Sequence, residues 1–407
     1  MGRFIIHGGK KLRGEISVGG SKNAALPIIF SCILIRGIST LTNVPDIADV
    51  DVALDILKSF GTKCTRYGDK VVIDTRELHY DVPENELVSK IRASSYLIGA
   101  LLGRFGRAAV MRFGGCNFDA RPIDMHIAAA TALGAKLDGN TLYAERLIGS
   151  DIIFDKISVG ATVNAILLAV TAKGKSRIFG YAKEPHVISL IEFLRGGGAE
   201  IQIRDECICI EGRELYSSSA EIIPDMIEAG SYLALSLMTD SSLRIVGADR
   251  YQLNSFLDSL LYGGAVIEYD DVSVSVSGRI NEEVCIETAP YPAFPTDLQP
   301  IMAPLLAASR GGIIKETVWK GRFGYLDELM KFGIDFISTY GHAEIKASRI
   351  KAATAVAPDL RGGAALVLAA LYADGESVID NAELIKRGYG DIINKLCAVG
   401  ADIRSIN

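Results

Sequence analysis

The chain has no surplus of basic charge, no cysteine framework, no histidine cluster and no long apolar run. Its 43 Lys and Arg stand against 49 Asp and Glu, for a net charge of −6. That balance argues against non-specific nucleic-acid binding, so any anionic ligand has to be caught by local positive charge. The seven cysteines, Cys32, Cys64, Cys116, Cys207, Cys209, Cys285 and Cys397, are odd in number and scattered. This is the usage of a reducing compartment, not of a disulfide scaffold. Cys207 and Cys209 alternate along an apparent strand and read as packing residues. His7, His79, His126, His186 and His342 form neither HxxxH nor HExxH spacing, so no metal site is signalled. The longest apolar run, Ala24 to Ile35, covers 12 residues and contains Pro27, whereas a membrane span needs roughly 20. Nothing resembles a secretory signal. The expectation is a cytoplasmic protein with no membrane partner.

What is present is length and repetition. At 407 residues the chain exceeds one hydrophobic core, and two domains are expected. A helix-ending glycine followed by a short strand recurs at Gly61, Gly134, Gly198, Gly264, Gly333 and Gly400, at spacings of 73, 64, 66, 69 and 67. A period this regular marks a structural repeat. Each glycine sits where a helix must turn left-handed.

Each repeat opens with a helix of small apolar residues, beginning near Lys22, Arg92, Gly160, Ala229, Asp297 and Arg361. A helix with no polar face is buried. The second helix of each repeat is half polar, and the rest is alternating strand. The pattern predicts an α/β fold of βαβαββ-type repeats around buried parallel helices. The sixth repeat ends early, so the N-terminal strands are expected to complete it. Three repeats per domain then give domain one over 22–229 and domain two over 1–21 plus 230–407, with two chain crossings. A further match pairs Ile16 to Ala24 with Ile157 to Ala165 at an offset of 141, with Lys22 opposite Val163. It reads as a copied strand-turn-helix in which one copy gained a cation.

A helix N-terminus carries about half a positive charge and unpaired N–H groups, so it suits an anion. Lys22, Arg92 and Arg361 add cations at such positions, where they cost stability unless an anion offsets them. Arg121, Arg322 and Arg387 lie in turns before the outer helices. In Pro295-Thr296-Asp297-Leu298-Gln299, Asp297 reads as a dipole-matched N-cap residue. Among so many arginines it is also the available general base. Cys116 follows Gly114-Gly115 in a loop longer than its counterpart in repeat three, with Arg112 and Arg121 near in sequence. Such a thiol is placed to be reactive.

These residues are similar to those of a known family. Gly20-Ser21-Lys22-Asn23-Ala24-Ala25, Arg92-Ala93-Ser94-Ser95-Tyr96, Gly114-Gly115-Cys116 with Arg121-Pro122-Ile123-Asp124, and Ser158-Val159-Gly160-Ala161-Thr162 carry the likeness. It continues through Pro290 to Asp297, Arg322-Phe323, Asp359-Leu360-Arg361 and Arg387-Gly388-Tyr389. In this order they resemble the UDP-N-acetylglucosamine 1-carboxyvinyltransferases, a branch of the enolpyruvyl transferases, over the whole chain. The resemblance implies two inverse α/β-barrel-like domains that close on their substrates. It implies transfer of the enolpyruvyl group of phosphoenolpyruvate to the 3′-hydroxyl of UDP-N-acetylglucosamine, with release of phosphate. No metal or organic cofactor is implied.

By position, the resemblance implies that Lys22, Arg121 and Arg387 hold the phosphoenolpyruvate phosphate. It sets Arg322 and Arg361 by its carboxylate and Asn23 beside the reacting groups. Cys116 is then the general acid and the residue alkylated by fosfomycin, and Asp297 takes the sugar hydroxyl proton. Arg92, Arg121, Pro122, Ile123, Asp124, Met125, Lys156, Ser158, Val159, Gly160 and Val318, with Asp297, line the sugar-nucleotide site. Four positions depart from the family pattern: Asp119 for Gly, Trp319 for Phe, Gly321 for Asn and Gly390 for Glu. The alternatives are the shikimate-pathway enolpyruvyl transferase and a diverged, non-catalytic UDP-sugar-binding paralogue.

Overall fold

The run from Val159 to Ala169 offers water no polar stripe, and it forms a helix in which every residue from Ala161 to Ala169 is buried. Six central helices are built this way: α1 (Lys22–Ser31), α2 (Leu97–Phe105), α3 (Val159–Ala169), α4 (Met226–Met238), α5 (Gln299–Ala307) and α6 (Leu360–Tyr372). Small side chains let them approach closely. A Cβ on Gly99 of α2 would come within 2.9 Å of the Asn164 carbonyl of α3. The computed structural model describes residues 2–81, 85–111, 113–114, 122–204 and 206–406.

The third repeat shows the plan. Strand Asp151–Ile153, helix α3, strand Lys175–Phe179, outer helix Pro185–Gly196 and strands Glu200–Ile203 and Cys207–Glu211 follow in order. In the sheet, Asp151–Ile153 runs parallel to Lys175–Phe179, which pairs antiparallel with Cys207–Glu211, and Glu200–Ile203 closes the edge. The outer helices end as their glycines require: Gly61, Gly134, Gly198, Gly264, Gly333 and Gly400 all have φ between 80° and 102°.

The described residues fall into two units, 2–19 with 224–406 and 20–114 with 122–223. Each has its own hydrophobic core. In the first, α4, α5 and α6 pack on one another; in the second, α2 packs on α1 and α3. The boundaries lie at 19/20 and 223/224, not at 21/22 and 229/230. Helix α4 begins at Met226, so a break after 229 would cut through its first turn.

Two expectations change at the strand level. Strand Arg3–Gly8 does enter the sixth sheet, antiparallel to both Gly375–Asp380 and Asp402–Ile406. Strand Arg13–Ser17 instead pairs parallel with Ser242–Val246 and serves the repeat of α4. Its place beside α1 is taken by Ser219–Glu221, parallel to Ile38–Thr42. The offset of 141 is therefore not a structural copy. Ile16 and Lys22 belong to different units. Ile157 and Ser158 are not strand, and Val163 lies inside α3 while Lys22 opens α1.

A repeat-closing glycine and a strand glycine give a graded prediction. Around Gly400 a Cβ would meet nothing within 4 Å, although φ is +100°. Gly400→Ala should therefore cost only backbone strain, about 1–2 kcal/mol. At Gly8 a Cβ would fall 2.1 Å from the Ala370 carbonyl oxygen, so Gly8→Ala should lower the urea midpoint clearly more. Equal midpoints for the two variants would contradict this reading of the packing.

Candidate functional site

In the unit of α4, α5 and α6, the candidate residues gather around one carboxylate. Asp297 lies in the turn before α5, whose N-cap is Leu298 without a side-chain bond. Asp297 is thus not a helix cap. Arg322 Nη1 donates to its Oδ1 at 2.8 Å, and Arg361 Nε donates to its Oδ2 at 3.2 Å. The carboxylate remains 30% exposed, whereas the Arg322 and Arg361 side chains are only 5% and 2% exposed. Two nearly dry cations thus converge on the accessible anion.

Helix chemistry places these arginines. Arg361 stands in the first turn of α6, and the Asp359 side chain caps that turn by accepting from the N–H groups of Arg361 and Gly362, each at 2.9 Å. The Arg361 guanidinium lies 5.3 Å from the Tyr389 ring centroid, a cation–π contact. The Tyr389 hydroxyl meets Ser231 Oγ of α4 at 2.7 Å. Arg387 ends the short helix Glu383–Lys386. The following Gly388 packs against Leu360, which keeps this turn at the head of α6. Val318 is half-buried just beyond strand Gly312–Glu316, and its N–H donates to Glu316.

In the other unit, Lys22 opens α1 with Asn23 beside it, and Lys22 Nζ lies 3.6 Å from the buried Asp49 carboxylate. Asp49 is thus an anion offsetting that N-terminal cation. Pro27 supplies no N–H, so the Asn23 carbonyl is denied its helical donor. Arg92 begins the 3₁₀ turn leading into α2. Ser158 accepts from Ala161 N at 3.3 Å as the N-cap of α3. Lys156 is exposed, Val159 and Gly160 are half-buried, and Pro122, Ile123, Asp124 and Met125 lead into helix Asp124–Ala132.

Two residues of this second group were not singled out from the sequence. Asn164 accepts from Gly99 N at 2.6 Å, and its amide nitrogen donates to Ser95 O at 3.1 Å and to His126 Nδ1 at 2.7 Å. The Gly99 N–H can only donate, which orients the Asn164 amide. Nδ1 of His126 is then the acceptor, and Nε2 carries the proton. That Nε2 faces Gly160, where a Cβ would come within 3.2 Å. Burial, with Arg92 adding to it and Asp124 opposing, drops the His126 pKa to about 4. Cys116 and Arg121 lie outside the described residues, as do Arg112 and Asp119. Among the described residues, no group of three or more His, Cys, Asp or Glu could hold a metal ion, and no helix is long and apolar enough to cross a membrane.

The His126 shift has a testable sign. Its folded pKa lies below the unfolded value near 6.5, so the unfolded chain takes the proton more readily between about pH 6.5 and 4. Stability should be full above that window and fall by about 3 kcal/mol as pH drops through it. His126→Gln should flatten this dependence, and ring-labelled NMR should find His126 still neutral at about pH 5. Titration of its ring near 6.5 would contradict the burial argument.

Residues 6–396 match the family described as EPSP synthase (3-phosphoshikimate 1-carboxyvinyltransferase). A protein of Caldanaerobacter subterraneus named UDP-N-acetylglucosamine 1-carboxyvinyltransferase 3 is 40% identical over 414 residues, covering 99% of each chain. One from Streptococcus thermophilus, named UDP-N-acetylglucosamine 1-carboxyvinyltransferase 2, is 40% identical over 421 residues, covering 100% of each. Among solved structures, the enolpyruvyl transferase NikO from Streptomyces tendae aligns with a TM-score of 0.90 at 26% identity, over 100% of this chain and 99% of that one. EPSP synthase from Acinetobacter baumannii aligns over 100% of each chain with a TM-score of 0.76 at 16% identity, which speaks for the fold alone. Full-length identity at this level places the chain in the EPSP synthase family of enolpyruvyl transferases, among the UDP-N-acetylglucosamine 1-carboxyvinyltransferases.

Proposed function

We infer that this chain transfers the enolpyruvyl group of phosphoenolpyruvate to the 3′-hydroxyl of UDP-N-acetylglucosamine, releasing phosphate, in peptidoglycan synthesis. The observation that carries this is 40% identity, end to end, to proteins named for that transfer. The charge arrangement agrees with it. Two polyanionic substrates need fixed cations, and Arg322 and Arg361 are held nearly dry on one carboxylate.

The residue roles are our assignment. Lys22, Arg121 and Arg387 hold the phosphate of phosphoenolpyruvate, Arg322 and Arg361 attend its carboxylate, and Asn23 lies at the reacting groups. Cys116 protonates the methylene carbon. The 3′-oxygen adds to the neighbouring carbon and Asp297 takes the hydroxyl proton. A methyl proton then leaves with the phosphate, which restores the enol ether. Arg92, Pro122 to Met125, Lys156, Ser158 to Gly160 and Val318 receive the sugar nucleotide. This work belongs in the cytoplasm and supports cell wall biogenesis, cell shape and cell division. The Cys116 thiolate opens the epoxide of fosfomycin. No nucleic acid takes part.

Two variants test the chemistry. With both substrates, phosphate release should be readily measured, and Asp297→Asn should lower kcat by about 10²- to 10⁴-fold. Cys116→Ala should abolish the fosfomycin adduct seen in intact-protein mass spectra. Shikimate 3-phosphate in place of the sugar nucleotide should give no turnover; turnover with it would favour the shikimate-pathway activity. Sugar-nucleotide binding without any phosphate release would mark a diverged binding protein.

A further inference from the structure

Glu316 is the last residue of strand Gly312–Glu316 and is 1% exposed. Among the described residues no lysine, arginine or histidine pairs with it. A buried carboxylate without a cation is costly unless hydrogen bonds compensate. Glu316 has four. Oε1 accepts from Thr288 Oγ1 at 2.7 Å, Val318 N at 2.9 Å and Trp319 N at 2.8 Å. Oε2 accepts from Thr296 Oγ1 at 2.8 Å.

The fourth bond leads to the site. Because the Thr296 hydroxyl spends its proton on Glu316, its lone pairs are left for Arg322, whose Nη1 reaches Thr296 Oγ1 at 3.1 Å and Thr296 O at 3.0 Å. The same Nη1 donates to Asp297. Glu316 and Asp297 together also balance the charges of Arg322 and Arg361. Resting on the reading of Asp297 as the base, we propose that Glu316 is a positioning residue for the transfer reaction: through Thr296 it aims Arg322 at Asp297, and through the N–H groups of Val318 and Trp319 it fixes the turn that meets the sugar nucleotide.

The other titratable groups around this cluster are Tyr325 ahead of the helix Leu326–Met330, Asp359 at the cap of α6, Tyr389 and Asp225. Lys315, His342 and Glu344 sit on the opposite face of the sheet, in register with one another or with Ile313. A neutral side chain at 316 would remove a negative charge that opposes ionisation of Asp297. The acidic limb of the pH profile should then move to lower pH, and the base should weaken.

The test is kcat over roughly pH 5–9 for the whole enzyme and for Glu316→Gln, Thr296→Val, the double variant and Asp297→Asn. Glu316→Gln and Thr296→Val should each lower kcat by about 10- to 100-fold and raise KM for phosphoenolpyruvate, whose carboxylate Arg322 attends. The acidic limb should move downward in Glu316→Gln, which loses the negative charge, and upward in Thr296→Val, which keeps that charge and loosens the Arg322 cation from Asp297. The double variant should be no worse in kcat than Glu316→Gln alone, because the Thr296 hydroxyl is one of the routes through which Glu316 acts. Thr296→Val leaves Glu316 three of its four donors and decides the matter if Glu316→Gln does not fold. A wild-type kcat in Thr296→Val, or a loss of kcat with an unmoved limb, overturns the proposal. If Asp297→Asn keeps both kcat and limb, the fault lies with the base assignment, and the proposal falls with it.

Discussion

Two arginines taken out of water need an anion, and in this protein they are given the same one. Arg322 and Arg361 come from turns 39 residues apart in sequence, and both are almost fully buried against Asp297. Leaving either unpaired at that depth would cost several kcal/mol. Asp297 therefore restrains both cations at once, and it is itself the exposed member of the cluster. A ligand carboxylate or phosphate arriving here would meet cations already desolvated and oriented, so little reorganisation remains to be done on binding. The same arrangement holds Asp297 next to whatever anion those arginines accept.

The constraint behind this placement is the inside-out architecture. Helices without a polar face can only be interior, so their N-termini are the places where such a helix reaches the surface of the core. Lys22 and Arg361 stand in first turns, and each is answered by a carboxylate from elsewhere in its own unit, Asp49 and Asp297. The cations oppose the helix dipole, and the nearby anions offset that cost. Sheets with one buried face close each unit around its helices.

Much of this was readable from the amino acids because it is local. The six glycines, the small-residue helices and the arginine-bearing turns are patterns within about 12 residues, and local patterns set helix ends and burial. Strand partnership is not local. Arg13–Ser17 and Ser219–Glu221 exchange sheets because pairing is decided by a parallel neighbour far along the chain, and the apparent copy at offset 141 had no way to reveal that. The same limit hid Asn164 and His126, which meet across 38 residues, and Glu316, whose donor Thr288 is 28 residues away. A buried polar group is legible only through its partner. The one local signal available was an Asn or Glu at a position the burial pattern reserves for apolar side chains.

The departures from the family pattern near Asp297 also make sense in these terms. Trp319 and Gly321 replace Phe and Asn in the turn between Val318 and Arg322. That turn is held by its backbone: Val318 and Trp319 donate their N–H groups to Glu316, Trp319 O accepts from Arg322 N at 2.9 Å, and Lys320 O accepts from Gly341 N at 2.9 Å. These bonds fix the main chain at both ends of the turn whatever side chains stand at 319 and 321. Substitution there changes the surface of the turn and leaves the Arg322 guanidinium on Asp297. A change at Thr296 would do the reverse, leaving the turn's backbone bonds to Glu316 in place while loosening the cation that the carboxylate depends on.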